Sequence, residues 1–275
     1  MSGTGDDEDR DDLALVLREI GFGRLASTRA NLANSAETRQ FLELGLQLLR
    51  EDLLEHTGPD FDEGRRSRLF ESLSRDRILQ LAAQCDSAAT ALLSVNMFRH
   101  RWDRKDRYTE DLISYLFRLG PQKDHLDAMD GMASVMIPQL SLGELIRQVA
   151  AAEVELMLAD PLTNLQAIVQ AAMPSHPRVR EFCRAQLDQL LPRWARLYER
   201  AAGAYGVTLR TGYTWLDVAT VFNAVVEGEL AWARVASSRA LSTGDSVLAG
   251  AILAMLPGLI ESPTENWDDL YAVRY

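Results

Sequence analysis

The chain has 275 residues, 47% apolar and 25% charged, which is the profile of a globular protein with a substantial buried core. Its formal net charge is −11, from 29 basic and 40 acidic residues. That balance excludes a protein that coats nucleic acid indiscriminately, yet it leaves room for one local basic surface, because phosphate contacts depend on the local field.

The run "DDEDRDD" at 6–12 reads as a solvated acidic tail. Residues 11–20 can form a helix, followed by a polar connection to residue 36. Within that connection "GFGRLA" (21–26) matches the loose pattern GxGxxA, but no βαβ unit surrounds it, so it does not indicate a dinucleotide site.

Helical periodicity dominates the rest, and no alternating strand appears. Residues 37–54 place Phe41, Leu44, Leu48 and Leu49 on one helical face. Gly58 and Pro59 break the chain in a loop over 56–64. A helix over 74–84 opens on Ser74 as N-cap and turns Ile78, Leu81 and Ala82 inward. A second helix is expected over 87–98 after a tight connection, and a third from about Lys105 to Leu119, ending at Gly120–Pro121. Longer helices follow over 141–159, 162–173, 178–206 with a kink at Pro192, 214–236 and 243–261.

The stretch "NMFRHRWDRKDRYTEDL" (96–112) gathers Arg99, Arg101, Arg104, Lys105 and Arg107 beside Phe98, Trp102 and Tyr108. A tight helix pair just before it suggests a helix-turn-helix, whose second helix enters the major groove while nearby cations hold phosphates. Ser94, Asn96, Arg99, His100 and Arg101 are the candidate base or phosphate contacts. Lys105 begins the next helix, where its amine and the free backbone N–H groups can both meet phosphate. Asp103, Asp106 and Glu110 can instead pair with these cations and leave an ordinary solvated helix surface.

The run "FRHRWDRKDRYTEDLISYLF" (98–117) resembles the end of the DNA-binding domain in TetR-type transcriptional regulators. Phe98 and Trp102 match that family's aromatic positions, Lys105 its lysine, and Asp111–Leu112 its following helix. "ETRQFLELGLQLLRE" and "LSRDRILQLAAQCD" are similar to its first two helices. "NLQAIVQAAMPSHPRVREFCRAQLDQLL" and "ATVFNAVVEGELAWARV" are similar to its ligand-binding and dimerising part. The likeness covers roughly 37–261. The chain departs from the pattern in carrying Asp103 where proline is usual, in a longer 55–72 connection, and in lacking the family's glycine-bearing turn around 85–97.

The resemblance implies an all-α protein: a three-helix helix-turn-helix head and a larger C-terminal helical bundle. Residues 1–36 are then an acidic, partly disordered extension, 37–118 the DNA-binding domain, and 119–275 the ligand-binding and dimerisation domain. The implied function is a ligand-responsive regulator, a repressor acting as a homodimer on a near-palindromic DNA site. The alternative is a dimeric all-α sensor or interaction protein with a vestigial head. Met136, Met157, Phe182 and Trp194 either line an effector pocket or pack in the core. The stripes on the last two helices, with Phe222, Val225, Gly228, Leu248, Ile252 and Met255, face either a second subunit or their own core.

No enzymatic chemistry is expected. The four histidines make no metal-ligand spacing, and neither Glu153/Glu155 nor Glu227/Glu229 shares a helical face. No cofactor motif, signal peptide or membrane-spanning run is visible, and Cys85 and Cys183 stand far apart, which suits a cytoplasmic, soluble protein.

Overall fold

The computed structural model describes residues 11–55, 69–85, 90–236 and 240–261, and among these it is all-α. The β pairing among them is a single isolated bridge between Leu209 and Ile260. The chain divides into two compact units: residues 1–120 with 161–183, and residues 121–160 with 184–275.

The first unit opens with α1 (Leu13–Val16), capped by Asp12, and α2 (Ala26–Ala33). Residues 1–10 of the expected extension lie outside the described residues, but 11–36 are packed. Leu13, Leu17, Ile20 and Ala33 are buried in the same core as the helices that follow. Polar groups pin this segment as well: Leu13 N–H donates to Asn34 Oδ1 at 2.8 Å, and Asn34 Nδ2 donates to Asp12 Oδ1 at 2.7 Å.

At the centre of this unit lies α3 (Ala36–Leu53), started by Ser35, whose hydroxyl accepts from Thr38 N–H. More of α3 is buried than one apolar stripe requires, including Leu42 and Leu46. The reason is that it is covered by α2, by α4 (Arg75–Gln84), by α6 (Lys105–Leu116) and by α9 (Pro161–Ala172). Before α6 come a 3₁₀ turn at Thr90–Leu92 and α5 (Val95–Arg101). The first unit therefore holds more than three helices. Residues 161–183, expected in the C-terminal domain, bring Leu165, Val169 and Val179 into its core, and Gln166 Nε2 donates to the Leu116 carbonyl at 2.7 Å.

Gly45 lets α6 approach α3. A Cβ at this position would stand 2.1 Å from the Tyr108 hydroxyl and 3.1 Å from Leu112. Tyr108 uses that space to donate its O–H to the Phe41 carbonyl at 2.7 Å.

The second unit holds α7 (Gly120–Met136), α8 (Leu142–Ala159), most of α10 (Pro177–Ala204), α11 (Trp215–Ala236) and α12 (Val247–Leu259). Gly120–Pro121 does not end a helix, as expected, but begins α7. Proline is tolerated in a first helical turn because its missing N–H has no partner there anyway. Ser141 and Glu144 form a reciprocal capping box at the start of α8. Helix α10 continues across Pro192.

Helices α8, α11 and α12 pack on one another, burying Val154, Phe222, Leu230, Leu248, Ile252 and Leu256. The α12 N-terminus is closed twice, by the Ser246 hydroxyl and by buried Glu229, which accepts from the N–H groups of Val247 (3.2 Å) and Leu248 (2.6 Å). At its other end Arg210 donates to the carbonyls of Pro257 and Ile260, each at 2.9 Å.

Candidate nucleic-acid interface

Helix α4 starts at Ser74, as its sequence indicates, and turns Ile78 and Ala82 into the core. The second helix of the pair is shorter and later than the expected span of 87–98. Residues 86–89 lie outside the described residues, the chain makes a 3₁₀ turn at Thr90–Leu92, and α5 is a seven-residue helix from Val95 to Arg101. Ser94 is its N-cap, accepting from Met97 N–H at 3.3 Å. Its hydroxyl thus serves the helix start.

Two anchors hold α5. The first is aromatic. Phe98 sits 5.3 Å from Phe41 and 5.0 Å from Tyr108, centroid to centroid, and Trp102 is 5.0 Å from Tyr108. These rings, matched above to a DNA-binding pattern, are core residues. The edge-on and tilted geometry suits ring quadrupoles.

The second anchor is Arg101, which corrects its assignment as a DNA contact. Arg101 is buried. Its guanidinium donates to Thr38 Oγ1 at 2.8 Å, Ser35 Oγ at 2.9 Å, the Met97 carbonyl at 3.0 Å and Glu37 Oε2 at 3.0 Å. Burial draws it below the usual arginine range, and the Glu37 carboxylate opposes that. Four of its five N–H donors are thus spent inside the protein, three at the start of α3 and one within α5.

The other cations divide. Arg104 pairs with Asp106 (2.6 Å), and Arg107 pairs with Asp103 (3.0 Å). Lys105 is exposed; its amine donates to the Glu71 carbonyl at 2.8 Å and keeps further N–H donors. Asn96, Arg99 and His100 are exposed on the outer side of α5, opposite Phe98. Among the described residues Arg99 makes no ion pair. His100 meets the Arg24 guanidinium, whose two terminal nitrogens lie 2.9 and 3.0 Å from its ring nitrogens. A neutral imidazole accepts at one nitrogen only, so at most one of these contacts is a hydrogen bond to the ring.

Beneath the surface lies Asp111, fully buried, with three donors on it: Trp102 Nε1 at 2.8 Å, Arg18 N–H at 2.8 Å and Glu19 N–H at 2.9 Å. Burial raises its carboxyl above the ordinary range, against the pull of the donors. Sequence reasoning placed Asp111 only as part of a family match. Nothing local marks it as the group that joins residues 18–19 to α6.

The expected effector residues divide between the two units. Phe182 stacks on Phe117 (6.2 Å, 8° between planes) in the core of the first unit. Met136, Met157 and Trp194 belong to the second. There Met157 packs on the α8–α11–α12 core and Trp194 lies 5.8 Å from Tyr198.

The expected dimer stripe is likewise corrected in part. Phe222, Leu248 and Ile252 are buried within the chain's own core, with Val225 and Met255 packed partly against it. Gly228 is exposed, and a Cβ there would meet nothing within 4 Å. The outer seam of α11 is Val221 (42%), half-buried Val225, Gly228, Trp232 (74%) and Val235 (81%). It lies about 100° round the helix from Phe222.

Among the described residues no three His, Cys, Asp or Glu side chains gather to hold a metal ion, and no helix is long and apolar enough to cross a membrane. No protein-family model, curated protein or solved structure matches the chain.

Proposed function

We propose that this chain is a ligand-responsive, DNA-binding transcriptional regulator of the TetR type, a repressor working as a homodimer. The observation that carries the reading is the outer face of α5. Phe98 and Arg101 hold the helix from inside, while Asn96, Arg99 and His100 are exposed on the other side, His100 in contact with Arg24. A helix anchored on one face and polar and basic on the other is what major-groove reading requires. Arg99 would meet a base edge or phosphate, Asn96 a base edge, and Lys105 a phosphate. Within the second unit an effector would bind and favour a geometry in which two heads no longer match the DNA spacing, a coupling of about 1–3 kcal/mol.

Homodimerisation is supported by the α11 seam. Val221, Val225, Gly228, Trp232 and Val235 recur at alternating steps of four and three, the spacing of a helix that packs lengthwise on another. The absent side chain of Gly228 permits close approach at the middle of the seam.

The test is a binding selection of the purified protein against fragmented genomic DNA at two salt concentrations. An enriched palindrome whose affinity falls steeply with salt supports the reading, because released counterions set that slope. No enrichment from folded, dimeric protein overturns it. The second reading, a dimeric sensor or interaction protein with a vestigial head, is favoured by one feature. Arg101 is buried, Arg104 and Arg107 are paired with Asp106 and Asp103, and those two acids are themselves exposed on the same surface.

A further inference from the structure

We infer that the turn at residues 21–25, which precedes the helix-turn-helix, belongs to the DNA-binding surface, with Arg24 contacting the phosphodiester backbone beside the groove that α5 enters. The inference rests on the regulator reading above and extends it to a segment outside the three helices.

The turn is built, not loose. Gly21 and Gly23 adopt φ of 57° and 80°, left-handed values that side chains other than glycine rarely take. Arg24 N–H closes the turn on the Gly21 carbonyl at 3.0 Å. Gly21 N–H donates to the Arg101 carbonyl at 2.9 Å, which ties the turn to the last residue of α5. Just upstream, Asp111 holds the N–H groups of Arg18 and Glu19, and Arg29 Nε donates to the Ile20 carbonyl at 3.2 Å. The Arg107 guanidinium lies over the Phe22 ring at 3.7 Å from its centroid. The turn is therefore fixed to α5 at Gly21 and to α6 at Phe22, and the residues just upstream are held by Asp111 of α6 and Arg29 of α2.

Arg24 stands at the outer end of this frame, exposed, its guanidinium in contact with the His100 ring nitrogens. That contact orients the side chain before any ligand arrives, so little rotamer freedom remains to be lost on binding. The charges around α5 leave it un-neutralised. In this acidic chain Arg18 has Glu181, Arg75 has Asp76, Arg77 has Asp52, Arg104 has Asp106 and Arg107 has Asp103. Arg24 and Arg99 have no carboxylate partner among the described residues, and Arg24 meets His100, the residue that follows Arg99. Asp103 and Glu19 face Arg107 rather than Arg24. Two unpaired guanidiniums on one rigid surface, beside an exposed polar helix face, make a site for anionic oxygens spaced along a strand.

The experiment uses the full-length protein and a random-sequence duplex library. Enriched duplexes are then titrated by fluorescence anisotropy over a salt series with wild type, Arg24→Ala, Arg24→Lys and Arg184→Ala, a surface control in the other unit. Each phosphate contact contributes about 0.9 to the slope of log affinity against log salt, so losing one per protomer of a dimer lowers the slope by about 1.8 and the affinity by roughly 30-fold at about 0.15 M salt. Arg24→Ala is expected to show that loss across all enriched sequences alike, Arg24→Lys to keep most of the slope, and Arg184→Ala to match wild type. A salt-sensitive wild-type complex with an unchanged Arg24→Ala slope overturns the inference and leaves the regulator reading standing. Failure of folded wild type to enrich any duplex removes both.

Discussion

Removing the Asp111 carboxylate tests whether residues 11–36 are a working part of the first unit. In Asp111→Ala the buried Trp102 N–H loses its acceptor, which costs about 1–3 kcal/mol because water cannot replace it. The N–H groups of Arg18 and Glu19 are only half-buried, so each lost bond costs about 0.5–1.5 kcal/mol. The sum is roughly 2–6 kcal/mol, a large share of the about 5–15 kcal/mol by which a protein is ordinarily stable. Asp111→Asn separates the contributions. Its amide oxygen can still accept from both backbone N–H groups, which share Oδ1, while its NH₂ would face the Trp102 N–H. We expect Asn to fall between wild type and Ala in urea unfolding followed by circular dichroism, and Ala to expose residues 11–36 to limited proteolysis. A loss below about 1 kcal/mol in Ala, or identical losses in Asn and Ala, would refute the claim that one carboxylate joins this segment to α6.

Gly45→Ala is expected to destabilise by about 1–3 kcal/mol, since its Cβ would meet the Tyr108 hydroxyl 2.1 Å away. Adding Tyr108→Phe should restore part of that loss, and strict additivity of the two changes in denaturant unfolding would count against a steric cause. In the second unit, the Glu153 carboxylate accepts from His125 at 2.7 Å and raises the histidine above its ordinary 6.5, against the effect of burial. The folded state thus binds this proton more tightly than the unfolded chain does. The resulting stabilisation is fully present below pH 6.5 and is lost as pH rises through the raised value. Glu153→Gln should flatten that part of the stability–pH profile, and an unaltered profile would show that other groups set it. If the α11 seam forms the proposed dimer, Trp232→Glu should give monomer in light scattering at micromolar concentration with no loss of helix content, because Trp232 is 74% exposed within the chain. A wild-type protein already monomeric at that concentration would sink the α11 seam.

Helices were legible in the sequence because their causes are local. The serines that open α4 and α8 stand at their caps, and the apolar spacing of 37–54, 141–159 and 214–236 corresponds to α3, α8 and α11. Where local signals compete, reading them alone went astray: Gly120–Pro121 is equally compatible with a stop and a start, and here it starts α7. The all-α class also follows from periodicity, and so does the concentration of cations at 99–107. The tertiary structure decided what those residues face. Helix α11 carries two apolar faces about 100° apart, and periodicity cannot say which one the chain covers; α8 and α12 bury Phe222 and leave Trp232 outside. Arg99 and Arg101 are the same residue two positions apart, yet the second turns inward because Thr38, Ser35 and Glu37, more than sixty positions earlier, supply its acceptors. Residues 161–183 join the first unit, and the Gly21–Leu25 turn settles against α5, through contacts between segments far apart in the chain. A sequence window records the tendency of a segment to coil and to hide one side, whereas the partner that does the hiding is chosen by the whole packed unit.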